Sequence, residues 1–460
     1  MSANRAVRVA ATGARLVTGA VVAVACAAGV VVGVSAPWPA VVAAPARTEV
    51  APQAGDTVVV CTGDLRALGR DASDPLAMQS AADAALTAGS SDGDYETSAL
   101  EVEDLPGAGE VRRLTATADE SGTALIGAAE SVTAHEDDLA GFAAAPCRAP
   151  ASSSWILGGT VATGAEDLIV LSNPGAVPST VTLTVYGTVR AASTTIVAAG
   201  TQLAVPLSSI ASGSDVPVVE VSAEGSPVRA VLQSSLTQTL DPVGIDLQDA
   251  IAAPQRNPVV AGVSVYPDES DDAAAAILRL MSPGHDTTAR VSVRAVGSST
   301  VESSFDVELA ADMPAQVGLS SLDPGDYTVS VEADAALLAG VRMQDGVAPG
   351  SDFAWAMPAP EVADDLLFAV PAGPAARLFL VNDGDVDAQV ELTPQRGGGA
   401  SSIVVEAGSS TSVDVDARTV YALTTSAAVR ASVAMTAKGA LAFWPLWPAA
   451  GAQGAITVYP

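Results

Sequence analysis

The stretch LIVLSNPGAVPSTVTLTV, residues 168–185, sets two alternating apolar runs on either side of an Asn-Pro-Gly turn. Alternation with a period of two buries one face of a β-strand, and Asn, Pro and Gly favour turns. The stretch therefore predicts an antiparallel β-hairpin. Related stretches begin at Ile277 (ILRLMSPGHDTTARVSV) and Leu378 (LFLVNDGDVDAQVEL), so we expect the hairpin three times.

The turn glycines Gly175, Gly284 and Gly384 recur at intervals of about one hundred residues, the size of a small β-sandwich domain. Each hairpin follows an apolar lead-in that we predict as a first strand: residues 155–161, 259–267 and 366–373. No long helical pattern separates the strands, which argues against parallel βαβ units. The predicted fold is all-β, with tandem immunoglobulin-like antiparallel β-sandwich domains behind an N-terminal signal or anchor helix.

These patterns divide the chain into seven segments. They are a basic cytoplasmic segment (1–15), a signal peptide or transmembrane anchor (16–36), a linker (37–55), a disulfide-stapled β domain (56–150) and β-sandwich repeats 1 (151–255), 2 (256–350) and 3 (351–460). Further expectations are linkers at 241–258 and 345–360, a short helix around 75–87 and a closing strand at 456–459. Whether residues 56–150 form a complete domain stays open.

The N-terminus predicts export. Residues 1–15 carry three arginines and no acid, and residues 16–36 are uncharged. A positive flank before an apolar run is typical of a secretory signal and keeps the N-terminus inside. The run is long enough to span a membrane, which favours an uncleaved anchor. Small-x-small motifs at 34–36 and 44–46 leave cleavage open. The expected location is the extracellular side of the cell envelope, membrane-anchored or secreted.

Cysteine usage agrees with export. Of three cysteines, Cys26 lies in the apolar run, which leaves Cys61 and Cys147 as a pair. In a non-cytosolic compartment such a pair predicts a disulfide. In the chain-entropy model a loop of this length is worth about 4 kcal/mol. A metal site is the weaker alternative, because two distant cysteines without a histidine pair do not make a ligand set.

The charge balance excludes some partners. The formal net charge is −31, and Lys438 is the single lysine. Binding to nucleic acid needs clustered Lys and Arg against phosphates, so nucleic acid is not an expected partner. Docking on an anionic membrane surface is disfavoured for the same reason. We expect contact with the membrane through the N-terminal segment only.

No sequence motif supports a catalytic or metal-binding site. The two histidines, His135 and His285, lack partners at metal-ligand spacing. A G-x-S-x-G match at residues 89–93 lacks the strand and helix that a nucleophile elbow needs. An acidic turn at residues 382–387 fails the EF-hand pattern, although weak calcium binding stays open. We predict no catalytic, cofactor-binding or metal-binding residues, no cofactor, and that the protein is not an enzyme.

The densest aromatic cluster is FWPLWP, residues 443–448. Aromatic side chains are enriched at interfaces, so Phe443, Trp444 and Trp447 are the candidate partner surface. Packing in a core is the alternative interpretation.

Several short features occur together: Cys61, the motif APC ending at Cys147, the motif SSW ending at Trp155, and the motif LSNP at residues 171–174. With the export signal, they resemble a family of exported actinobacterial proteins classed as a domain of unknown function. The resemblance covers most of the chain outside the N-terminus. It implies an envelope location, a non-catalytic role and genes near cell-wall glycosyltransferases, and it supplies no catalytic residues.

The leading hypothesis is an exported, membrane-anchored cell-envelope protein with a non-catalytic binding or scaffolding role. Its expected partners are cell-wall polysaccharide or envelope proteins. One alternative is an accessory protein or enzyme acting on cell-wall glycans, because 52 acidic residues leave a pair of glycosidase carboxylates open. The other alternative is an adhesin-like stalk.

Overall fold

The structure is a computed structural model. It describes residues 3–35, 48–50, 55–70, 73–74, 77–102, 104–105, 109–118, 124–267, 276–319, 322–448 and 456–458. The chain forms two units: one comprises Met1–Pro52 with Gly454–Pro460, and the other comprises Gln53–Gln453. The predicted cleavage motif at 44–46 lies outside the described residues.

The elements before residue 150 are α1 (Ala3–Ser35), β1 (Thr48–Val50), β2 (Thr57–Val60), β3 (Leu65–Ala67), β4 (Gln79–Ala82), β5 (Ala85–Ser90), β6 (Glu96–Val102), β7 (Val111–Ala116), β8 (Ile126–His135) and β9 (Ala140–Pro146). Repeat 1 contains β10 (Ser153–Ile156), β11 (Ala165–Asn173), β12 (Ser179–Tyr186), β13 (Ala191–Val197), β14 (Thr201–Pro206), α2 (Leu207–Ile210), β15 (Val218–Gly225), β16 (Arg229–Gln238) and β17 (Asp241–Asp249).

Repeat 2 contains β18 (Val259–Val265), β19 (Ala276–Met281), β20 (Thr287–Ala295), β21 (Ser303–Leu309), β22 (Ala315–Gly318), β23 (Gly325–Glu332), β24 (Leu338–Gln344) and β25 (Phe353–Ala356). The remaining elements are β26 (Glu361–Val362), β27 (Leu366–Val370), β28 (Ala376–Asn382), β29 (Ala388–Pro394), β30 (Ser401–Val405), β31 (Ser409–Val415), β32 (Thr419–Thr425), β33 (Val429–Ala437), β34 (Ala440–Pro445) and β35 (Ile456–Val458). The prediction of an all-β chain with an N-terminal apolar helix is confirmed.

The first unit contains the apolar helix. Within α1, Gly13–Val34 is long and apolar enough to cross a membrane. Its 22 residues extend about 33 Å, close to the hydrocarbon thickness of a bilayer. The helix is therefore compatible with a signal or an anchor. In the same unit, β35 pairs antiparallel with β1. The predicted closing strand exists, but its described partner is β1 and not a strand of repeat 3.

The three repeats share one strand order. In repeat 1, the sheet β10-β15-β12-β13 packs on β14-β11-β16-β17; repeat 2 has β18-β23-β20-β21 on β22-β19-β24-β25, and repeat 3 has β27-β32-β29-β30 on β31-β28-β33-β34. Each pair of sheets encloses its own buried apolar cluster. The predicted lead-in strands at 259–267 and 366–373 are confirmed as β18 and β27, whereas β10 shares only Trp155 and Ile156 with the predicted run 155–161. In an immunoglobulin constant domain the first strand of the domain lies beside the second. In these repeats the first strand pairs with the sixth instead, as β10 does with β15. The seventh strand lies beside the second, as β16 does beside β11.

The hairpin prediction for residues 168–185 is wrong. Strand β12 alternates between buried and more exposed residues as expected, whereas β11 is buried on both faces from Asp167 to Asn173. The two strands belong to opposite sheets and do not pair with each other. The turn is an arch that crosses the core, and the same holds for β19–β20 and β28–β29. The error has a physical reason: two strands that bury facing surfaces across a sandwich alternate in the same way as two strands paired within one sheet.

Residues 56–150 do not build a separate sandwich. Strands β6, β7 and β2 extend one sheet of repeat 1 to seven strands, through a parallel pairing of β6 with β14. The sheet β5-β8-β9 packs on repeat 1, and Phe142 and Ala144 of β9 enter the core of repeat 3. The predicted helix around 75–87 is wrong, because its described residues form β4 and the start of β5.

Both predicted linkers contain a strand. Residues 241–258 include β17, which pairs with β16, and residues 345–360 include β25, which pairs with β24. With β34 in repeat 3, these are the eighth strands of the three sandwiches. The strand β25 completes repeat 2 beyond residue 350, so the predicted boundary there is displaced. Three aspartates of these segments, Asp246, Asp249 and Asp352, are buried in the structure.

The predicted disulfide is present. Cys61 and Cys147 are bonded, close a loop with a sequence separation of 86 residues, and are both buried. They belong to an apolar cluster with Val59, Leu114 and Ala128, which ties β2 to the end of β9. A disulfide fits an extracellular location.

Candidate ligand-binding cavity

The disulfide is not a metal centre. The Glu130 carboxylate lies with the sulfurs of Cys61 and Cys147 in a group whose possible ligand atoms are within 4.8 Å of one another. Metal binding requires thiolates, and these sulfurs are bonded to each other. Glu130 accepts hydrogen bonds from the N–H groups of Thr62 (3.1 Å) and Gly63 (2.9 Å). Burial raises the pKa of Glu130. The arrangement is therefore structural.

The aromatic cluster at 443–448 is mostly interior. Phe443 is 2% exposed and Trp444 is 1% exposed, so neither side chain offers a partner surface. Both lie on β34 and pack in buried cores. The short, proline-containing motif gave no indication of this burial. Trp447 is half-buried, and the Arg148 guanidinium lies 3.6 Å from its ring centroid. The predicted partner surface thus reduces to Trp447.

A buried carboxylate that sequence reasoning missed joins four parts of the chain. Asp352 is 0% exposed and accepts four backbone N–H groups. The donors are Phe142 (3.0 Å, β9), Ile245 (3.0 Å, β17), Phe353 (3.0 Å, β25) and Leu441 (2.9 Å, β34). Burial raises the pKa of Asp352 well above its ordinary value. The four N–H donors lower the pKa, but their effect is smaller than that of burial. The carboxyl fixes the first segment and all three repeats at one point.

A cavity of about 260 Å³ lies between repeats 1 and 2. We call it the interrepeat cavity. Its walls are Gly159, Thr160, Ala162, Ala165, Asp167, Asp215, Ser234, Ser235, Leu236, Ile277, Arg279, Gln316, Arg342, Phe353 and Trp355. An apolar cluster that includes Trp155 and Trp355 packs repeat 1 against repeat 2 beside it. The two walls are therefore held together by buried contacts.

Arg279 forms part of the floor. It is 3% exposed, and its Nη1 donates to the carbonyls of Leu157 and Gly159, both at 2.8 Å. Its guanidinium lies 4.7 Å from the ring centroid of Trp355. Gly159 has φ +92°, and a Cβ there would lie 2.7 Å from Leu207, so the close turn requires glycine. Burial lowers the pKa of Arg279 to about 9, which leaves it charged at neutral pH.

Asp167 faces the cavity from β11. Its Oδ2 accepts the N–H of Thr160 at 2.6 Å, and burial raises its pKa. The Ser234 hydroxyl lies near enough to lower that pKa, but not in hydrogen-bond geometry. Ser234 is 3% exposed and its hydroxyl has no hydrogen-bond partner among the described residues. A buried polar atom without a partner calls for an explanation, such as an ordered water or a bound molecule.

Arg342 supplies a second cation. Its guanidinium stacks 4.8 Å from the ring centroid of Phe353 and interacts electrostatically with Asp167 and Asp246. Within the described part of the chain it forms no ion pair and no side-chain hydrogen bond. The Arg342 guanidinium thus lines the cavity with N–H donors that no described side chain accepts.

Asp246 lies behind the wall. It is 1% exposed and accepts the N–H of Trp355 at 2.9 Å. Burial raises its pKa to about 8, so the carboxyl is largely protonated at neutral pH. The cavity therefore combines a free guanidinium, a carboxylate, hydroxyl and amide groups, and aromatic rings. Such a set presents hydrogen-bond donors and acceptors in one cavity.

The family model for a "Family of unknown function (DUF5719)" matches residues 101–418, which include all the residues that line the interrepeat cavity. No curated protein matches the chain. Among solved structures, the crystal structure of chicken CNTN1 FN1-FN3 domains covers 67% of this chain and 98% of that chain, at 10% sequence identity and a TM-score of 0.10. The predicted actinobacterial origin and envelope association stay predictions. By the extent of the family match, the chain belongs to the DUF5719 family of unknown function.

Proposed function

We propose that the protein is an exported, membrane-anchored component of the cell envelope with a non-catalytic binding role. Its site is the interrepeat cavity, and its ligand is a neutral sugar residue of a cell-wall polysaccharide. The apolar helix α1 and the Cys61–Cys147 disulfide support export. The nearly lysine-free, acidic chain supports a partner that is neither nucleic acid nor an anionic membrane surface.

The observation that carries this proposal is the unpaired guanidinium of Arg342 in the cavity. A cation held against an aromatic ring, without a hydrogen-bond acceptor of its own, loses hydration unless a ligand supplies acceptors. The Ser234 hydroxyl is unpartnered in the same wall. Together they offer donors to the hydroxyl oxygens of a ligand.

Size and chemistry favour a sugar. The cavity volume of about 260 Å³ is slightly below the volumes of pockets that hold drug-sized ligands. The polar groups from Thr160, Asp167, Ser234 and Gln316 both donate and accept hydrogen bonds, as the hydroxyls of a sugar require. Phe353 and Trp355 are buried, and the guanidinium groups of Arg342 and Arg279 lie over their rings, so the rings position these two cations.

The test uses the full chain in detergent micelles and isothermal titration calorimetry. The probes are glucose, galactose, mannose, arabinose, rhamnose and N-acetylglucosamine as free sugars. We expect at least one to bind, and Arg342→Gln to weaken that binding about tenfold, the effect of losing one charge-assisted hydrogen bond. Arg256→Gln changes another arginine, which is exposed and outside the cavity, and should leave binding unchanged. Failure of every sugar at millimolar concentration would refute the ligand assignment.

A second candidate function, action on glycans, has one observation in its favour. Asp167, whose pKa is raised by burial, and Asp215 line the same cavity. A carboxyl of raised pKa beside a second carboxylate is the pattern of a glycosidase acid and its partner. Release of sugars from purified wall polysaccharide, abolished by Asp167→Asn, would favour this function. Binding without release favours the non-catalytic role.

A further inference from the structure

A second opening lies between the first segment and repeat 3, and we call it the arginine cleft. Its volume is about 490 Å³. It is lined by Ala85, Leu86, Thr87, Ala88, Tyr95, Ala372, Gln395, Arg396, Arg418, Thr419 and Val420. The two arginines are its only charged lining residues among those described. In a chain of formal net charge −31, a lining with two cations and no acid stands out.

The two arginines come from different turns. Arg396 follows β29, and Arg418 immediately precedes β32. Both are exposed, and neither forms an ion pair among the described residues. Arg418 has φ 57°, a left-handed conformation that costs free energy for a non-glycine residue. Its N–H donates to the carbonyl of Pro371 at 3.3 Å, which helps to hold that conformation.

The walls of the cleft are fixed to each other. Gln395 Nε2 donates to the carbonyl of Ser90 at 2.8 Å, and the Gln395 N–H donates to the carbonyl of Val420 at 2.8 Å. Ala129, Ala369 and Val420 form a small buried cluster that joins the first segment to repeat 3. The opposite wall, with Tyr95, rests on the apolar cluster that contains the disulfide. The arginines are therefore presented on a preformed framework.

We propose that the arginine cleft binds an anionic saccharide, with its acidic group between Arg396 and Arg418. Planar guanidinium groups match the geometry of carboxylates and phosphates. Tyr95 offers a ring face, and Thr87, Gln395 and Thr419 offer hydroxyl and amide groups for the sugar. A uronic acid and a sugar phosphate share this chemistry. The site is separate from the interrepeat cavity, and its test does not depend on the function proposed for that cavity.

The experiment measures binding to the full chain in detergent micelles by isothermal titration calorimetry. The probes are glucuronate, glucose 1-phosphate, neutral glucose and an acidic peptide, tetraglutamate. We expect one or both anionic sugars to bind and to lose affinity when salt is raised, because salt screens exposed charges. The relative affinities of glucuronate and glucose 1-phosphate distinguish a carboxylate from a phosphate ligand.

Two substitutions locate the binding. Arg396→Gln removes one cation, and Arg418→Asn removes the other with a residue that tolerates the left-handed conformation. Each should weaken the binding of the anionic sugar about tenfold. Arg256→Gln, which changes an exposed arginine outside the cleft, should leave it unchanged.

Four results would overturn the proposal. They are no binding of either anionic sugar at millimolar concentration, a loss of neutral glucose binding in the cleft variants equal to their loss of anionic sugar binding, binding of tetraglutamate alone, and unchanged affinity in both cleft variants whose Tm matches the wild type. Because the variants are judged against Tm, loss of binding through misfolding is separated from loss of the cations.

Discussion

Asn173 and Asn382 hold the arches of repeats 1 and 3 with the same three hydrogen bonds. In repeat 1, Asn173 Nδ2 donates to the carbonyls of Val177 at 2.9 Å and Val197 at 3.0 Å. Its Oδ1 accepts the N–H of Gly175 at 2.9 Å. The side chain thereby satisfies backbone groups at the point where the chain leaves one sheet for the other.

The arch of repeat 3 reproduces this arrangement. Asn382 Nδ2 donates to the carbonyls of Val386 at 2.8 Å and Val405 at 2.9 Å, and its Oδ1 accepts the N–H of Gly384 at 3.0 Å. In repeat 2 the equivalent residue is Ser282, whose buried hydroxyl has no hydrogen-bond partner among the described residues. The three repeats thus share an arch but not one way of locking it.

We expect Asn173→Ala and Asn382→Ala each to lower the free energy of unfolding by about 1–3 kcal/mol, because each leaves a buried carbonyl, that of Val197 or Val405, without this donor. The measurement is chemical denaturation followed by tryptophan fluorescence. Ser282→Ala is the matched control at the equivalent arch and should have a much smaller effect. A loss for Ser282→Ala equal to that of either asparagine variant would contradict the role of the amide.

The Asp352 carboxyl gives a second prediction. Asp352→Asn replaces an acceptor of two N–H groups with an NH₂ group that faces the same donors, so Tm should fall sharply. Removal of an acceptor from a buried donor costs about 1–3 kcal/mol for each donor. Asp364→Asn, at an exposed aspartate, is the control and should leave Tm unchanged. If Tm is the same in both variants, Asp352 does not join the repeats as described.

The buried Asp246 predicts a pH dependence. Its pKa is raised to about 8 in the folded chain from an ordinary value of about 4. The protonated form is therefore favoured by folding, so the stabilisation is present near pH 4 and is lost as pH rises through 8. We expect a loss of more than about 1.4 kcal/mol, the value of one pKa unit.

Tm measured from pH 4 to pH 8 checks this, with Asp246→Asn as the comparison. The variant keeps an oxygen for the Trp355 N–H but does not titrate, so its pH dependence should be shallower. The raised pKa values of Glu130, Asp167 and Asp352 act in the same direction and should leave a residual slope. An unchanged slope in the variant would contradict the assignment to Asp246.

The disulfide should stabilise the first segment. The double variant Cys61→Ser, Cys147→Ser is expected to lower the free energy of unfolding by about 2–5 kcal/mol. Peptide mass spectrometry of the non-reduced protein should find these two cysteines linked and Cys26 free. Cys26→Ser is the control and should leave stability unchanged. Free thiols at Cys61 and Cys147 would contradict both the structure and the argument for export.

Period-two patterning was enough to locate most strands and to show three related repeats. The lead-in strands β18 and β27 follow from continuous apolar runs. Patterning could not decide which strands pair, because an arch and a hairpin bury the same alternate residues. It also failed at β17 and β25, where Asp246 and Asp352 resemble linker residues but accept backbone N–H groups inside the protein.

The candidate sites were beyond sequence reasoning for a related reason. Asp167 and Arg342 are 175 residues apart (342 − 167) in the sequence and meet only where repeat 1 packs on repeat 2. The arginine cleft likewise needs the first segment to pack on repeat 3. One signal was available: in a chain with so few cations, each arginine near a turn is a candidate for binding an anion.

The central claim is that the interrepeat cavity holds a neutral sugar. A crystal structure of the protein with the tightest-binding sugar of the panel tests it most directly. We expect a sugar between repeats 1 and 2, with hydroxyl oxygens within hydrogen-bond distance of the Arg342 guanidinium and the Ser234 hydroxyl. A bound sugar that contacts neither residue, or a cavity that stays without sugar while calorimetry shows binding, would contradict it.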